Sequence, residues 1–411
     1  MRHLTADYIF PVSSPVIQNG IITVDSEGMI VAVSQPGTIN QDLLEKHQGV
    51  ICPGFINTHC HLELSHMKGV ISEKTGMTGF IGEILGNRNV SSPEAIEKAM
   101  KTAEEEMIRN GIVAVADISN NNASFKLKSE SKIHFHTFVE VFSMDPKKAE
   151  QQMDEGKKLS LELSALDLAN SIVPHAPYTL SEDLLNLINE EAEQNNSIIS
   201  IHNQESEGES ELFLTGSGPM FDAFTKMGIK QELMRKTGLN SLRSTLPYLL
   251  NAQKILLVHN TFTTRDDIVW TKKLEARSKK QEVRGKNQDL TFNNQQLQLY
   301  WCTCPNANLY IENKLPEYDV FITENVKMTI GTDSLASNHS LSVLDELKTI
   351  SKHSPHIPLQ TLLSWACFNG AEFLGLKDLG CIEKGKRPGL NLLRNMNGAQ
   401  LTAETEVLKL M

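Results

Sequence analysis

The chain is short of several things that mark large protein classes. Its 411 residues hold six cysteines, at positions 52, 60, 302, 304, 367 and 381, and none form a C-x-x-C pair. So sparse a set speaks for a reducing compartment. No run of 18 uninterrupted apolar residues exists, so no segment reads as a membrane-spanning helix. The opening "MRHLTADYIFPVSS" has no basic stretch followed by an apolar core, which leaves a cytoplasmic location as the expectation. Positive charge is also in deficit: 39 Lys and Arg against 50 Asp and Glu give a net charge of −11. That balance gives no electrostatic reason to bind nucleic acid or an anionic membrane, and reads as a solvated surface.

What is present is an ordinary globular composition, 40% hydrophobic and 22% charged, in a chain long enough for a large domain with a companion. Residues 1–53 contain short β-type runs such as "NGIITVDSEGMIVAVS" between turn signals. From Phe55 the rhythm changes, and apolar runs alternate with helical stretches such as 91–111, with Ser at its start and Gly at its end. Eight such runs follow: 54–61, 113–119, 135–143, 171–177, 197–205, 255–261, 299–305 and 326–334. Eight strands close a (β/α)8 barrel, so the expected class is an α/β TIM barrel. Residues 380–411 return to strand character, and with 1–53 they are expected to form a small β-sandwich domain beside a barrel domain of 54–379. The polar stretch 274–298 interrupts the rhythm and reads as an inserted surface excursion.

Chemistry in such barrels gathers at the C-terminal ends of the strands. The ends here carry His59 and His61, Asp117, Glu140, His175, His202 with Glu205, His259, and Asp333. Five of the 13 histidines fall on four of the eight ends. His59 and His61, two apart, share one face of a strand. Three neutral imidazoles and a carboxylate suit one Zn²⁺ or Fe²⁺ ion with a position left for water. Such an ion lowers the pKa of its water to about 7, and attack on an sp² carbon then needs a proton shuttle. Glu205, just past a strand end, is placed for that work. His259 could polarise the electrophile, and Asp333 could bind metal and accept the water proton.

The motifs "PGFINTHCHLE", "VPHAPYTLS", "IHNQES", "LLVHNT", "CPNANLYI" and "IGTDS", in that order, resemble the amidohydrolase superfamily, in its branch of aminohydrolases and chlorohydrolases. The resemblance spans nearly the whole chain. It implies His59, His61, His202 and Asp333 as ligands of one divalent metal, with zinc the expected ion. It further implies Glu205 as proton shuttle, His259 as catalytic histidine and His175 as a substrate contact. No lysine ends the fourth strand, where binuclear members carry a bridging one. "HLELSHMKG", "FVEVFS" and "VPHAPYTLS" are similar to aminodeoxyfutalosine deaminases, which implies an adenine nucleoside derivative as substrate. The usual tryptophan after the first strand is missing from "GMTGFIGEI" (76–84), which leaves aromatic recognition in question. By analogy the protein is a homodimer or larger homo-oligomer acting on a small molecule.

Alternatives stay open at this stage. The same machinery expels chloride or an amine, or cleaves an amide-like C–N bond, and a barrel can survive as a non-catalytic scaffold. Asp117 and Glu140 are ligand-orienting or purely structural groups, and Glu63 holds a ribose or fixes its loop. His66 and His339 lie in loops within reach of a substrate. "HLE" at 61–63 imitates a cytidine-deaminase zinc motif, but the P-C-x-x-C that motif requires is absent.

Overall fold

Apolar, β-branched runs between turn residues become eight parallel strands in the computed structural model, which describes residues 1–284 and 297–411. They are Phe55–Cys60, Ile112–Ser119, His134–Val141, Ala169–Pro174, Ile198–Asn203, Lys254–His259, Gln298–Thr303 and Lys327–Ile330. All eight expected runs are found, but several stop earlier than the apolar pattern suggested. The eighth ends at Ile330, so Asp333 stands beyond it, as His61, His175 and Glu205 stand beyond theirs.

Capping residues set the intervening helices. Pro93–Arg109 opens with Ser92 Oγ accepting from the Ala95 amide at 3.3 Å and Pro93 at the first helical position. Glu182–Asn195 is capped by Ser181 and stops at Asn196, whose φ is +51°. Alternation along the strands then sorts the side chains. Ala116, Ile118, Phe138, Val173, Leu256, Val258, Tyr300 and Cys302 form one buried cluster. Their neighbours Val115, Val139, Ile172, Ile199, Leu257 and Trp301 join a second, which includes helix residues Leu184, Leu185 and Ile188. Cys302 and Cys304 are fully buried in the first cluster, as small core residues.

The barrel consists of two four-stranded halves, in spatial order four-three-two-one and five-six-seven-eight. The halves meet at two irregular seams. At one, Cys60 and Asp333 form an isolated parallel bridge, and the Thr332 and Asp333 amides donate to the His59 carbonyl at 3.0 and 3.1 Å. At the other, the His202 amide donates to the His175 carbonyl at 3.0 Å. Both seams therefore carry residues of the candidate site.

Residues from the two ends of the chain build two further sheets. One orders Ile30–Ser34, Ile21–Val24, Arg2–Thr5 and Leu44–Lys46; the other orders Glu406–Lys409, Leu390–Arg394, Val50–Pro53, Tyr8–Ile9 and Ile17–Gln18. Leu390 pairs with Pro53 and Leu393 with Val50. Leu4, Ile9, Ile22, Ile51, Ile382 and Leu392 share their core. The stretch 274–298 is not one excursion: its start continues the helix Arg265–Arg284, and Gln298 opens the seventh strand. Residues 285–296 lie outside the described residues. No helix among the described residues is long and apolar enough to cross a membrane.

Candidate active site

Four non-glycine residues at the C-terminal ends of the barrel strands adopt left-handed backbone: Gln204 (φ +44°), His259 (+71°), Asn260 (+59°) and Asp333 (+57°). Such conformations persist only where surrounding contacts impose them, and they concentrate at functional sites. Here they accompany the sharp turns at strand ends that gather the polar side chains. His59 Nε2 and His61 Nε2 lie 3.1 Å apart, with Asp333 Oδ1 at 3.6 and 3.4 Å from them. His202 Nδ1 donates to the His175 carbonyl at 2.7 Å, which leaves Nε2 as its lone-pair nitrogen. One donor atom from each of His59, His61 and His202 lies within 4.8 Å of the others, and the same holds for His59, His259 and Asp333.

The electrostatics of this cluster point inward. Burial lowers the basicity of His59, but the Asp333 carboxylate outweighs it and raises the pKa. Burial, then the neighbouring imidazoles, lower His61 and depress His202 far below the usual histidine value. Burial would raise Asp333, yet His59, His61 and His259 hold it well below the carboxylate range. The cluster attracts positive charge to its centre. Its donor set is the one a borderline divalent cation prefers. The residues fit a metal ion.

Beside them, Glu205 Oε1 lies 3.5 Å from His259 Nε2. Burial, reinforced by Asp333, Glu209 and Glu312, pushes Glu205 well above the usual carboxyl range. Glu209 pins its turn, accepting from the Gln204 and Glu205 amides at 3.0 and 3.2 Å. His259 bonds through Nδ1 to Asn308 Oδ1 at 2.9 Å, and burial takes its pKa down to about 4. It is therefore neutral near pH 7, with Nδ1–H on Asn308 and an unprotonated Nε2 facing Glu205.

These groups floor a cavity of about 250 Å³. His175 lines it, with Nδ1 3.1 Å from Thr179 Oγ1. Its outer wall is apolar: Met77, Phe80, Ile81, Ile84 and Leu85 from helix Gly76–Asn87, joined by Phe142, Tyr178 and Phe224. The missing tryptophan does not leave the cavity without aromatic surface, because four separate segments supply Phe80, Phe142, Tyr178 and Phe224. A side cavity of about 380 Å³ adjoins it and shares His61, Leu64, Arg88 and Asn120.

The family model for the amidohydrolase family matches residues 50–407. The chain belongs to the amidohydrolase family. Over 96% of its length it is 22% identical to a 5-methylthioadenosine/S-adenosylhomocysteine deaminase of Bacillus cereus, covering 85% of that protein. In structure it is similar to aminofutalosine deaminase of Helicobacter pylori in complex with methylthio-coformycin. There the TM-score is 0.73 and the identity 23%, over 96% of this chain and 92% of the other. It is also similar to the atrazine chlorohydrolase of Arthrobacter aurescens complexed with zinc. That TM-score is 0.69 and the identity 16%, over 95% and 86% of the two chains. These structural likenesses establish a shared barrel fold.

Other polar residues of this amidohydrolase have structural partners. Asp117 Oδ1 accepts from the Leu62 amide at 2.8 Å, immediately after His61. Its Oδ2 lies 2.7 Å from Lys128 Nζ, with both side chains fully buried. Lys128 also reaches Ser119 Oγ at 2.8 Å and Thr137 Oγ1 at 3.2 Å. Nothing local marks Lys128 for this role, since a lysine in "FKLKSE" reads as a solvated helix residue. Glu63 holds its neighbouring loop, accepting from the Asn120 amide at 3.2 Å and Asn121 Nδ2 at 2.9 Å. Burial lifts its pKa to about 7. His66 joins two loops through contacts of 3.1 Å to the Glu63 and Arg88 carbonyls. His339 is exposed and lies 3.4 Å from Glu73. Glu140 Oε2 accepts from Asn120 Nδ2 at 3.0 Å. Asn308 is a further functional residue that the sequence does not single out; its signal is the second of two amides inside "CPNANLYI", in the first turn of the helix Pro305–Ile311.

Proposed function

We propose that the protein is a metal-dependent hydrolase that deaminates an amino-substituted nitrogen heterocycle, of the class of adenine nucleosides and their derivatives. The observation that carries this reading is Glu205: a buried carboxyl with a strongly raised pKa, 3.5 Å from an unprotonated His259 nitrogen. An amino group must gain a proton before it leaves, whereas chloride needs none.

In this reading His59, His61, His202 and Asp333 hold a single ion, zinc, with Fe²⁺ the other candidate. The ion supplies Lewis acidity, which lowers the pKa of a water to about 7. Glu205, ionised there by the positive charge of the ion, would take a proton from the attacking water at a carboxyl oxygen and pass it to the departing amino nitrogen. His259 Nε2, neutral and fixed by Asn308, faces the Glu205 carboxyl at 3.5 Å and keeps it oriented. His175 contacts the heterocycle from the seam between the fourth and fifth strands, and the apolar wall packs on its flat face while excluding water. The names of the deaminase relatives support the reaction class, and the zinc-bound chlorohydrolase supports the ion.

The test is ammonia release by the zinc-loaded protein from adenosine, 5-methylthioadenosine, S-adenosylhomocysteine, aminodeoxyfutalosine, guanine, cytosine and amino-triazines. Turnover of an adenine nucleoside is expected. Silence across the panel, with chloride released from a chlorinated triazine, would overturn deamination and leave the same floor serving another leaving group.

A further inference from the structure

Glu140 has work left over after its structural contacts are counted. It lies next to the end of the third strand and is 7% exposed. Asn120 Nδ2 clamps Oε2 at 3.0 Å, which fixes the carboxyl plane. Oε1 is buried and has no hydrogen-bond partner among the described residues. The nearest candidate, His202 Nδ1, is 3.8 Å away and already donates to the His175 carbonyl at 2.7 Å. A buried acceptor left without a donor is unfavourable, and native proteins keep few of them without a reason.

The position of this oxygen suggests the reason. Glu140 lines the reactive cavity, and it also lines an outer cavity of about 550 Å³ that shares Arg88, Asn120 and Phe142 with it. Glu140 therefore stands where the reactive cavity meets one of its two neighbouring cavities. Arg88 at the same mouth offers only donors and forms no ion pair among the described residues, whereas Glu140 brings a buried, unpartnered acceptor to a residue that lines both cavities.

We propose that Glu140 is a specificity-determining residue whose Oε1 accepts a hydrogen bond from a hydroxyl on the ring's substituent. The site is thereby selective for polyhydroxylated, nucleoside-type substrates over bare bases and triazines. This rests on the deaminase reading and adds to it the substrate feature that is recognised. A site built to satisfy such a donor discriminates strongly against an analogue that lacks it, because the acceptor is then left unpaired.

The experiment compares the zinc-loaded protein with its Glu140→Gln variant on adenosine, 2′-deoxyadenosine and 3′-deoxyadenosine. It reads kcat and KM, calorimetric affinity for the same ligands, and bound metal per chain. For adenosine the variant is expected to raise KM and weaken binding by about 10–100-fold, with kcat changed by less than about threefold and metal unchanged. For one deoxy analogue the wild-type protein is expected to be already impaired, and the substitution then adds little. An equal loss on all three ligands overturns the proposal. So does a fall in bound metal, which would make Glu140 a support for His202 or a ligand of a second ion with His175. If the unmodified protein deaminates none of the three, the deaminase reading fails first. Hydroxyl-dependent binding of adenosine by calorimetry then still supports the role of Glu140, and its absence overturns it.

Discussion

The floor of the cavity and its outer wall are built by opposite rules. The floor residues come from four strand ends as far apart in sequence as His59 and Asp333, and all but His61 are buried. Three of them are held by side-chain contacts: His202 by the His175 carbonyl, His259 by Asn308, Asp333 Oδ2 by Ser337 Oγ at 2.6 Å. The wall is built mainly on one helix, Gly76–Asn87, with glycine at 76, 79, 82 and 86 and only Met77 buried. Its polar anchors include the Met77 amide on Glu312 Oε1 at 2.7 Å and the Arg88 carbonyl on His66. Glycine in a helix interior costs about 1 kcal/mol against alanine, so the wall is locally weak where the floor is over-determined. Chemistry needs fixed distances; a surface that admits and releases a flat ring does not.

The strongest way to break this contrast is at the floor. Asp333→Ala is expected to abolish stoichiometric metal binding, measured by metal analysis, and to cut turnover by roughly 10⁴-fold or more, because unactivated water is a poor nucleophile at neutral pH. Retained metal with retained activity would remove Asp333 from the ligand set. Glu205→Gln is the next largest change. It is expected to keep metal and fold but lower kcat by about 10²–10⁴-fold, the scale of general acid–base catalysis; full activity would assign the proton to another group.

A smaller effect separates the supports of the floor from the wall. Burial lifts Glu63 and Glu209 to about 7 and Glu346 to about 8, from an unperturbed value of 4.5. Glu346 accepts from Asn338 Nδ2 at 2.7 Å, and Asn338 Nδ2 also meets the Thr332 carbonyl beside Asp333 at 2.8 Å. Between the unfolded and folded pKa values the folded state holds protons that the unfolded chain releases. Stability is therefore greatest at the acidic end of that window and is lost as pH rises through it. The slope is at most about 1.4 kcal/mol per pH unit for each group. Urea unfolding of the metal-free protein at about pH 5, 6.5 and 8 is expected to show this fall. A rise over the same range would mean that these carboxyls are ionised in the fold.

The smallest change is at the wall. A Cβ built on Gly82 or Gly86 meets nothing within 4 Å, so Gly82→Ala and Gly86→Ala are each expected to stabilise the helix by about 1 kcal/mol. Denaturation midpoints should rise while turnover changes by less than about threefold. A loss of turnover as large as that of Glu205→Gln would show the wall to be as exacting as the floor.

The two regions also differ in how far the sequence exposes them. Polar residues at the ends of apolar runs are conspicuous, because burying them without a purpose is costly. That made His59, His61, His175, His202, Glu205, His259 and Asp333 readable, together with the eight-strand rhythm. The wall residues are ordinary apolar side chains, and nothing local separates Phe80 or Phe224 from residues of the core. Lys128 and Asn308 were equally hidden, since a lysine or amide on a helix gives no sign of what lies across from it.

The sequence alone determined the architecture and the inventory of reactive groups, through short-range physics: alternation along strands, caps at helix ends, and polar residues at the boundaries. Tertiary structure decided what those groups face. It set the His61 nitrogen 3.1 Å from that of His59, paired Glu205 with an unprotonated His259, gave Asp117 to a buried lysine, and left one buried oxygen of Glu140 without a hydrogen-bond partner among the described residues. Distances, tautomers and pKa shifts depend on neighbours remote in the chain and on burial, and both exist only once the barrel has closed.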